Sequence, residues 1–144
     1  MRIEKIGEKE HEKALALVLS VFMQYEAPDY SQQGIQTFRD FIHDQEAIDR
    51  LELYGAYKYN EITGVIATRN NGDHIALFFV DSKYHRQGIG RKLFETILNK
   101  STGEKITVNA SPYSVEVYKK LGFVPESDEQ IADGMRFTPM TYTK

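Results

Sequence analysis

Residues 80–93 read Val-Asp-Ser-Lys-Tyr-His-Arg-Gln-Gly-Ile-Gly-Arg-Lys-Leu. The apolar run Ile75 to Val80 predicts a strand. From Ile89 onward the spacing predicts an amphipathic helix with Ile89, Leu93, Ile97 and Leu98 inward. Between them, Gly88-Ile89-Gly90 closes a short polar turn. Two glycines let the main chain approach a ligand closely, and the first N–H groups of a helix have no partner of their own. Arg86, Arg91 and Lys92 add positive charge beside those donors, and the anion that such a site suits is a pyrophosphate. The expected chemistry is that of a phosphorylated cofactor.

Two other phosphate motifs do not fit. A P-loop needs Gly-x-x-x-x-Gly-Lys followed by Ser or Thr, and the chain has none. The dinucleotide fingerprint needs a third glycine where Leu93 stands, and it sits in a first βα unit, whereas much chain precedes this turn.

Residues 105–125 carry a second segment, Lys-Ile-Thr-Val-Asn-Ala-Ser-Pro-Tyr-Ser-Val-Glu-Val-Tyr-Lys-Lys-Leu-Gly-Phe-Val-Pro. Together the two segments resemble the GNAT acetyltransferase superfamily, which uses acetyl-coenzyme A. Its members carry Arg/Gln-x-x-Gly-x-Gly/Ala at the pyrophosphate loop and a later Tyr-x-x-x-Gly-Phe pattern. The loop here is His85-Arg86-Gln87-Gly88-Ile89-Gly90, with His85 replacing the usual first residue, and the later pattern is Tyr118-Lys119-Lys120-Leu121-Gly122-Phe123. The resemblance is specific over residues 74–125.

The resemblance implies a mixed central sheet of about six to seven strands with helices on both faces. Two parallel strands splay apart to admit the pantetheine arm of acetyl-CoA along the main chain of Phe78, Phe79 and Val80. It further implies that Tyr118 protonates the departing thiolate; its alternative is a core tyrosine packing with Val115 and Leu121. A phenol, with a pKa of roughly 10, carries its proton near neutral pH. His74 stands where several branches place the group that takes the amine proton, though it equally fits an exposed turn residue after Asn71-Gly72-Asp73. Asn109 and Ser111 flank the second splayed strand, and Ser111 matches a coenzyme A contact as well as a helix cap. Glu26, Asp29 and Tyr30 fall in the connection that walls the acceptor site in this family. The expected activity is transfer of acetyl to a primary amine of a small molecule or peptide; the other reading is a coenzyme A-binding sensor without turnover. A homodimer is left open.

The bulk properties agree. The chain has 144 residues and 41% apolar content, which suits one globular domain over 1–144. The absence of cysteine removes disulfides, thiolate metal sites and Cys nucleophiles. Four scattered histidines predict no metal site. The N-terminus lacks an apolar signal region, no stretch is long enough to span a membrane, and a cytoplasmic protein is expected. A net charge of −3 argues against a nucleic-acid partner.

These residues must be positioned by a series of alternating elements. The patterns predict a strand over 2–6, a helix over 10–26 and a second helix capped by Ser31. Strands follow at 51–59 and 62–69 about an Asn60-Glu61 turn, then a hairpin through Asn70–Asp73 into the strand 74–80. Helix 89–100 crosses over to strand 106–110. A helix starting at Ser111-Pro112 ends near Gly122, and Pro139 predicts an edge position for the last strand, 135–142.

Overall fold

The computed structural model describes all residues, 1–144. Its strands are β1 (Arg2–Lys5), β2 (Glu52–Lys58), β3 (Glu61–Arg69), β4 (His74–Val80), β5 (Lys105–Ala110), β6 (Val124–Pro125), β7 (Gln130–Ala132) and β8 (Met135–Thr143). Its α-helices are α1 (His11–Val21), α2 (Gln32–His43), α3 (Gln45–Asp49), α4 (Ile89–Lys100) and α5 (Val115–Leu121). The strands lie in the order β1-β2-β3-β4-β5-β8-β6, with β7 paired to β8. The expected mixed sheet is present. Its strand count rises to eight because β6 and β7, of two and three residues, are too short to show a periodic pattern.

The sheet separates two cores. On one side Ala14, Val18 and Phe22 of the first helical segment and Phe38 of α2 meet Val65, Leu77 and Phe79. On the other, Leu93, Phe94 and Ile97 of α4 meet Ile66, Ile106 and Val108. Burial of each such side chain stabilises the fold by roughly 1.5–3 kcal/mol.

The β4–α4–β5 crossover makes β4 and β5 parallel neighbours. They pair only through His74↔Thr107 and Ile75↔Val108. The ladder to β3 then shifts register, Thr68↔Ile75 being followed by Ala67↔Leu77, which leaves Ala76 as an extra residue. Such a bulge bends and twists its strand. Beyond it β4 stays with β3, β5 stays with β8, and the two diverge toward Val80 and Ala110.

Four local features differ from expectation. The first helix does not run evenly to residue 26: after Val21 it widens into a π-helical turn, Phe22–Glu26, closed by the Ala27 N–H donating to the Phe22 carbonyl. The β2–β3 turn lies one residue earlier, at Tyr59 and Asn60, both left-handed. Regular helix in α5 begins at Val115; the preceding turn is capped by Ser111, whose Oγ accepts from the Ser114 N–H at 3.3 Å. Strand β8 is not at an edge, since β6 and β7 pair beyond it. Pro139 sits opposite Asn109 of β5, and its carbonyl accepts from the Glu126 N–H on the other side. Its missing donor therefore faces away from β5, and no bond of that ladder is lost.

Helix α2 is clamped to the β7–β8 turn. Gly34 and Gly134 cross so closely that a Cβ on Gly34 would overlap the Gly134 carbonyl oxygen. Thr37 donates to the Asp133 carbonyl at 2.7 Å, and Tyr30 Oη to the Arg136 carbonyl at 3.2 Å. Gly34→Ala must push two backbones apart and is expected to cost about 1–3 kcal/mol, read as a lower urea midpoint. An unchanged midpoint would show that the crossing is loose.

Candidate active site

A cavity of about 420 Å³ opens where β4 leaves β5. Its walls include Phe78, Phe79 and Val80 from β4, His85 and Arg86 from the loop, Gly88 to Gly90 at the head of α4, and Tyr118 and Lys120 from α5. Gly88 is left-handed, with φ +79°, which places it as the residue that turns the loop into the helix. The first intrahelical bond made to it is from the Lys92 N–H at 3.1 Å, so the N–H groups just before Lys92 are left without helical acceptors. A Cβ on Gly88 would meet nothing within 4 Å, and one on Gly90 would only touch Phe78 and Val80 at 3.5–3.8 Å. The space before both glycines is open to a ligand.

The loop side chains divide. His85 folds inward: its Nε2–H donates to the Val80 carbonyl at 2.8 Å and its ring lies 5.2 Å from that of Tyr25. Arg86, in a left-handed conformation, lines the cavity. Gln87 donates to the Lys83 carbonyl at 3.4 Å, and Arg91 reaches across to the Lys120 carbonyl at 3.4 Å. Arg91 and Lys92 do not line the cavity; Lys120 does.

A second cavity, of about 500 Å³, shares Glu26, Phe78, Phe79, Ser114 and Tyr118 with the first. It extends under α2 to the β7–β8 turn, with Phe41, Arg69, Met135 and Phe137 in its wall. Asn109 and Ser111 lie here rather than in the first cavity. Along β5, Ile106, Val108 and Ala110 are buried against α4 and α5, so alternation turns Asn109 the other way.

Tyr118 stands in the shared wall. Its ring is packed against Phe123 at 5.2 Å and Phe78 at 5.9 Å, and is 5% exposed. Burial, and to a lesser degree the charge of Glu26, push its phenol above the ordinary value, so it holds its proton firmly. Glu26 is delivered to the same wall by the π-helical turn. Its carboxyl is pushed up to about 7, chiefly by burial; contact with Ser111 lowers it and the Asp29 charge raises it further. A carboxyl that titrates near neutrality can take and return protons at working pH. The family resemblance implied a place for Glu26 in the acceptor wall; its titration depends on burial by neighbours from β4, α2 and α5, which no local pattern reveals.

The structure does not bring His74 to Tyr118. It lies at the closed end of the seven-residue strand β4, opposite Thr107, with Nδ1 2.7 Å from Thr107 Oγ1. At about 3.3 Å per residue this is roughly 20 Å from the open end. Burial and the Arg69 charge lower its pKa to about 4. The proton-accepting role expected of His74 therefore does not fit its place. No three His, Asp or Glu side chains converge as metal ligands.

Two measurements check these placements. Gly90→Val adds bulk at the cavity wall, where its Cβ meets Phe78 and Val80 only in ordinary contact, so the melting temperature should fall little while acetyl-CoA binding is lost by calorimetry; normal binding would exclude the loop. For His74, the unfolded chain takes up a proton between pH 6.5 and about 4 that the folded chain refuses. The His74 contribution to stability is therefore lost as pH drops through that window, opposite in sign to that of Glu26, and the urea midpoint of the parent chain should fall relative to that of His74→Gln as pH is lowered from 6.5 to about 4. A difference between the two midpoints that does not change with pH would mean that His74 is not a titrating group there.

The model of the acetyltransferase (GNAT) domain matches residues 26–144. No curated protein sequence matches the chain. Among solved structures, a GCN5-related N-acetyltransferase from Rhodopseudomonas palustris superposes with a TM-score of 0.86 at 18% identity, covering 99% of this chain and 95% of that one. The PaiA N-acetyltransferase of Thermoplasma acidophilum, in complex with coenzyme A, gives 0.78 at 18% identity with 100% of both chains covered. The apo form of YjaB from Escherichia coli gives 0.76 at 19%, covering 98% and 96%. No helix of the chain is long and apolar enough to cross a membrane. The matched domain model spans both the glycine loop and Tyr118, and the chain belongs to the GNAT acetyltransferase family.

Proposed function

We propose that the chain transfers an acetyl group from acetyl-CoA to a primary amine of a small molecule or peptide, by direct attack in a ternary complex. The observation that carries this reading is the wall shared by two cavities, with a protonated phenol and a near-neutral carboxyl in it. A site that only sensed coenzyme A would need the first cavity alone.

The residues fit the cofactor. The head of α4 and Arg86 would hold the pyrophosphate, with Lys120 near, and the unpaired edge of β4 would take the pantetheine arm. Acetyl-CoA, when bound, supplies an activated acyl thioester. The chain supplies the rest. Apolar walls from Phe78 and Phe79 exclude water, main-chain donors along the open edge favour the developing oxyanion, and Tyr118 Oη carries the proton for the departing sulfur. Burial suits Tyr118 to that role, because it keeps the phenol protonated until a thiolate forms beside it.

Thiol release from acetyl-CoA with a panel of amines tests the activity. Tyr118→Phe keeps the ring packing and should lower turnover by roughly 10²–10⁴-fold with little change in acetyl-CoA affinity. Full turnover in that variant would remove Tyr118 from the chemistry; bound acetyl-CoA without thiol release for any amine would favour the sensor.

A further inference from the structure

Resting on the acetyl-transfer reading, we propose that the second cavity takes a primary monoamine with an apolar body, that Glu26 receives the proton of its ammonium group, and that polycations are turned away. The cavity has a carboxylate away from solvent at one end only. Its inner end holds Glu26 beside Tyr118, and its side walls are Phe38, Phe41, Phe79 and Phe137. The one other carboxylate in the wall is Asp133, out on the exposed β7–β8 turn. Its cations are Arg69 and Arg136. Arg136 is committed, donating to both Glu129 oxygens at 3.0 and 3.1 Å and to the Asp29 carbonyl at 3.1 Å. Arg69 has no acidic partner within salt-bridge reach. An amine with one charge finds a carboxylate at the reacting end and apolar contact along its body. A second ammonium further out would meet phenyl rings and an uncompensated guanidinium, an arrangement that selects by repulsion.

The proton balance closes. The ammonium N–H bond breaks and its proton goes to a Glu26 carboxylate oxygen. The freed nitrogen lone pair forms the C–N bond to the acetyl carbon as the C–S bond breaks. The sulfur takes the Tyr118 proton, and the second amine proton returns to the Tyr118 oxygen. Glu26 then releases its proton to solvent. The groups facing Glu26 are Asp29 and Tyr30 of its own segment, Ser111, Tyr113 and Tyr118 around α5, and Arg136 of β8 through Tyr30. The phenols and the guanidinium, all raised, stay protonated through neutrality, which leaves Glu26 to titrate among them.

The test uses phenethylamine and spermidine as acceptors, with the full chain. Phenethylamine should be acetylated with kcat/KM more than about 10-fold above spermidine. Glu26→Gln should cut its turnover by roughly 10²–10⁴-fold and abolish the ionisation near pH 7 from the rate profile, with acetyl-CoA binding kept. Glu26→Asp should restore part of the rate. A readout apart from turnover is folding stability. Because the Glu26 pKa is raised from 4.5 to about 7, its contribution is full below pH 4.5 and is lost as pH rises to 7. Glu26→Gln should remove that slope from the urea midpoint. Equal or better use of spermidine, or a Glu26→Gln enzyme that keeps both its rate and its ionisation, overturns the proposal. If no amine releases thiol, the transfer reading fails by itself. Calorimetry on protein loaded with coenzyme A then decides the cavity: tighter phenethylamine than spermidine supports it, and the reverse, or binding of neither, overturns it.

Discussion

Two residue pairs hold β4 beside β5, and everything chemical in this molecule depends on there being only two. A parallel ladder carried to the ends of both strands would have consumed the main-chain donors that face β5 between Phe78 and Val80 and closed both cavities. What breaks it is local. The extra residue at Ala76 bends β4, while antiparallel partners on the outer sides, β3 and β8, keep each strand in place. The divergence is thus stabilised by the ladders that flank it and costs only the bonds the gap leaves unmade. Those unmade bonds are a free strand edge, and an extended ligand can satisfy them.

The apolar lining of this gap has an electrostatic effect. Phe78, Phe79 and Phe123 surround groups that would be hydrated at the surface. The same burial acts with opposite benefit on two acids. It holds Tyr118 protonated, as a donor should be, and it brings Glu26 up to the range where both of its forms are populated at neutral pH. The Glu26 charge also works against ionisation of Tyr118. In the proposed reaction, proton donor and proton acceptor are separated by the different intrinsic acidities of phenol and carboxyl, displaced by one shared environment.

The part of the site written in contiguous residues was legible in the sequence. Strand, turn, Gly88-Ile89-Gly90 and helix form one local unit whose geometry follows from backbone rules, and Tyr118 belongs to a six-residue pattern. What the sequence hid is set by packing across distance. His74 precedes the loop by a plausible interval, yet register with Thr107 places it at the closed end of the gap. Pro139 suggested an edge, but which side its nitrogen faces depends on the ladder with β5. The π-helical turn at Phe22–Glu26 leaves no mark in the hydrophobic spacing, because Phe22 is buried either way. Arg91 was grouped with the loop cations by proximity in sequence, whereas its helix face carries it to the Lys120 carbonyl.

That contrast extends to how the two halves of the site are built. The first cavity draws on β4, the loop, α4 and the neighbouring α5, with Val21 and Glu26 of the first helical segment completing its wall. The second cavity is assembled from the end of the first helical segment, α2, the far end of β3, β5 and the β7–β8 turn. Its roof is held by few contacts: the Gly34–Gly134 crossing, Thr37 on the Asp133 carbonyl, and Tyr30 and Arg136 exchanging bonds with each other's main chain or its neighbour. Such a roof can be altered in charge without disturbing either core, since Asp133 is exposed and Thr37 and Arg136 are only partly buried. A fold arranged in this way holds the glycine loop in a local motif, whereas the wall of the second cavity joins core side chains such as Phe38 and Phe79 to turn residues whose replacement costs the fold little.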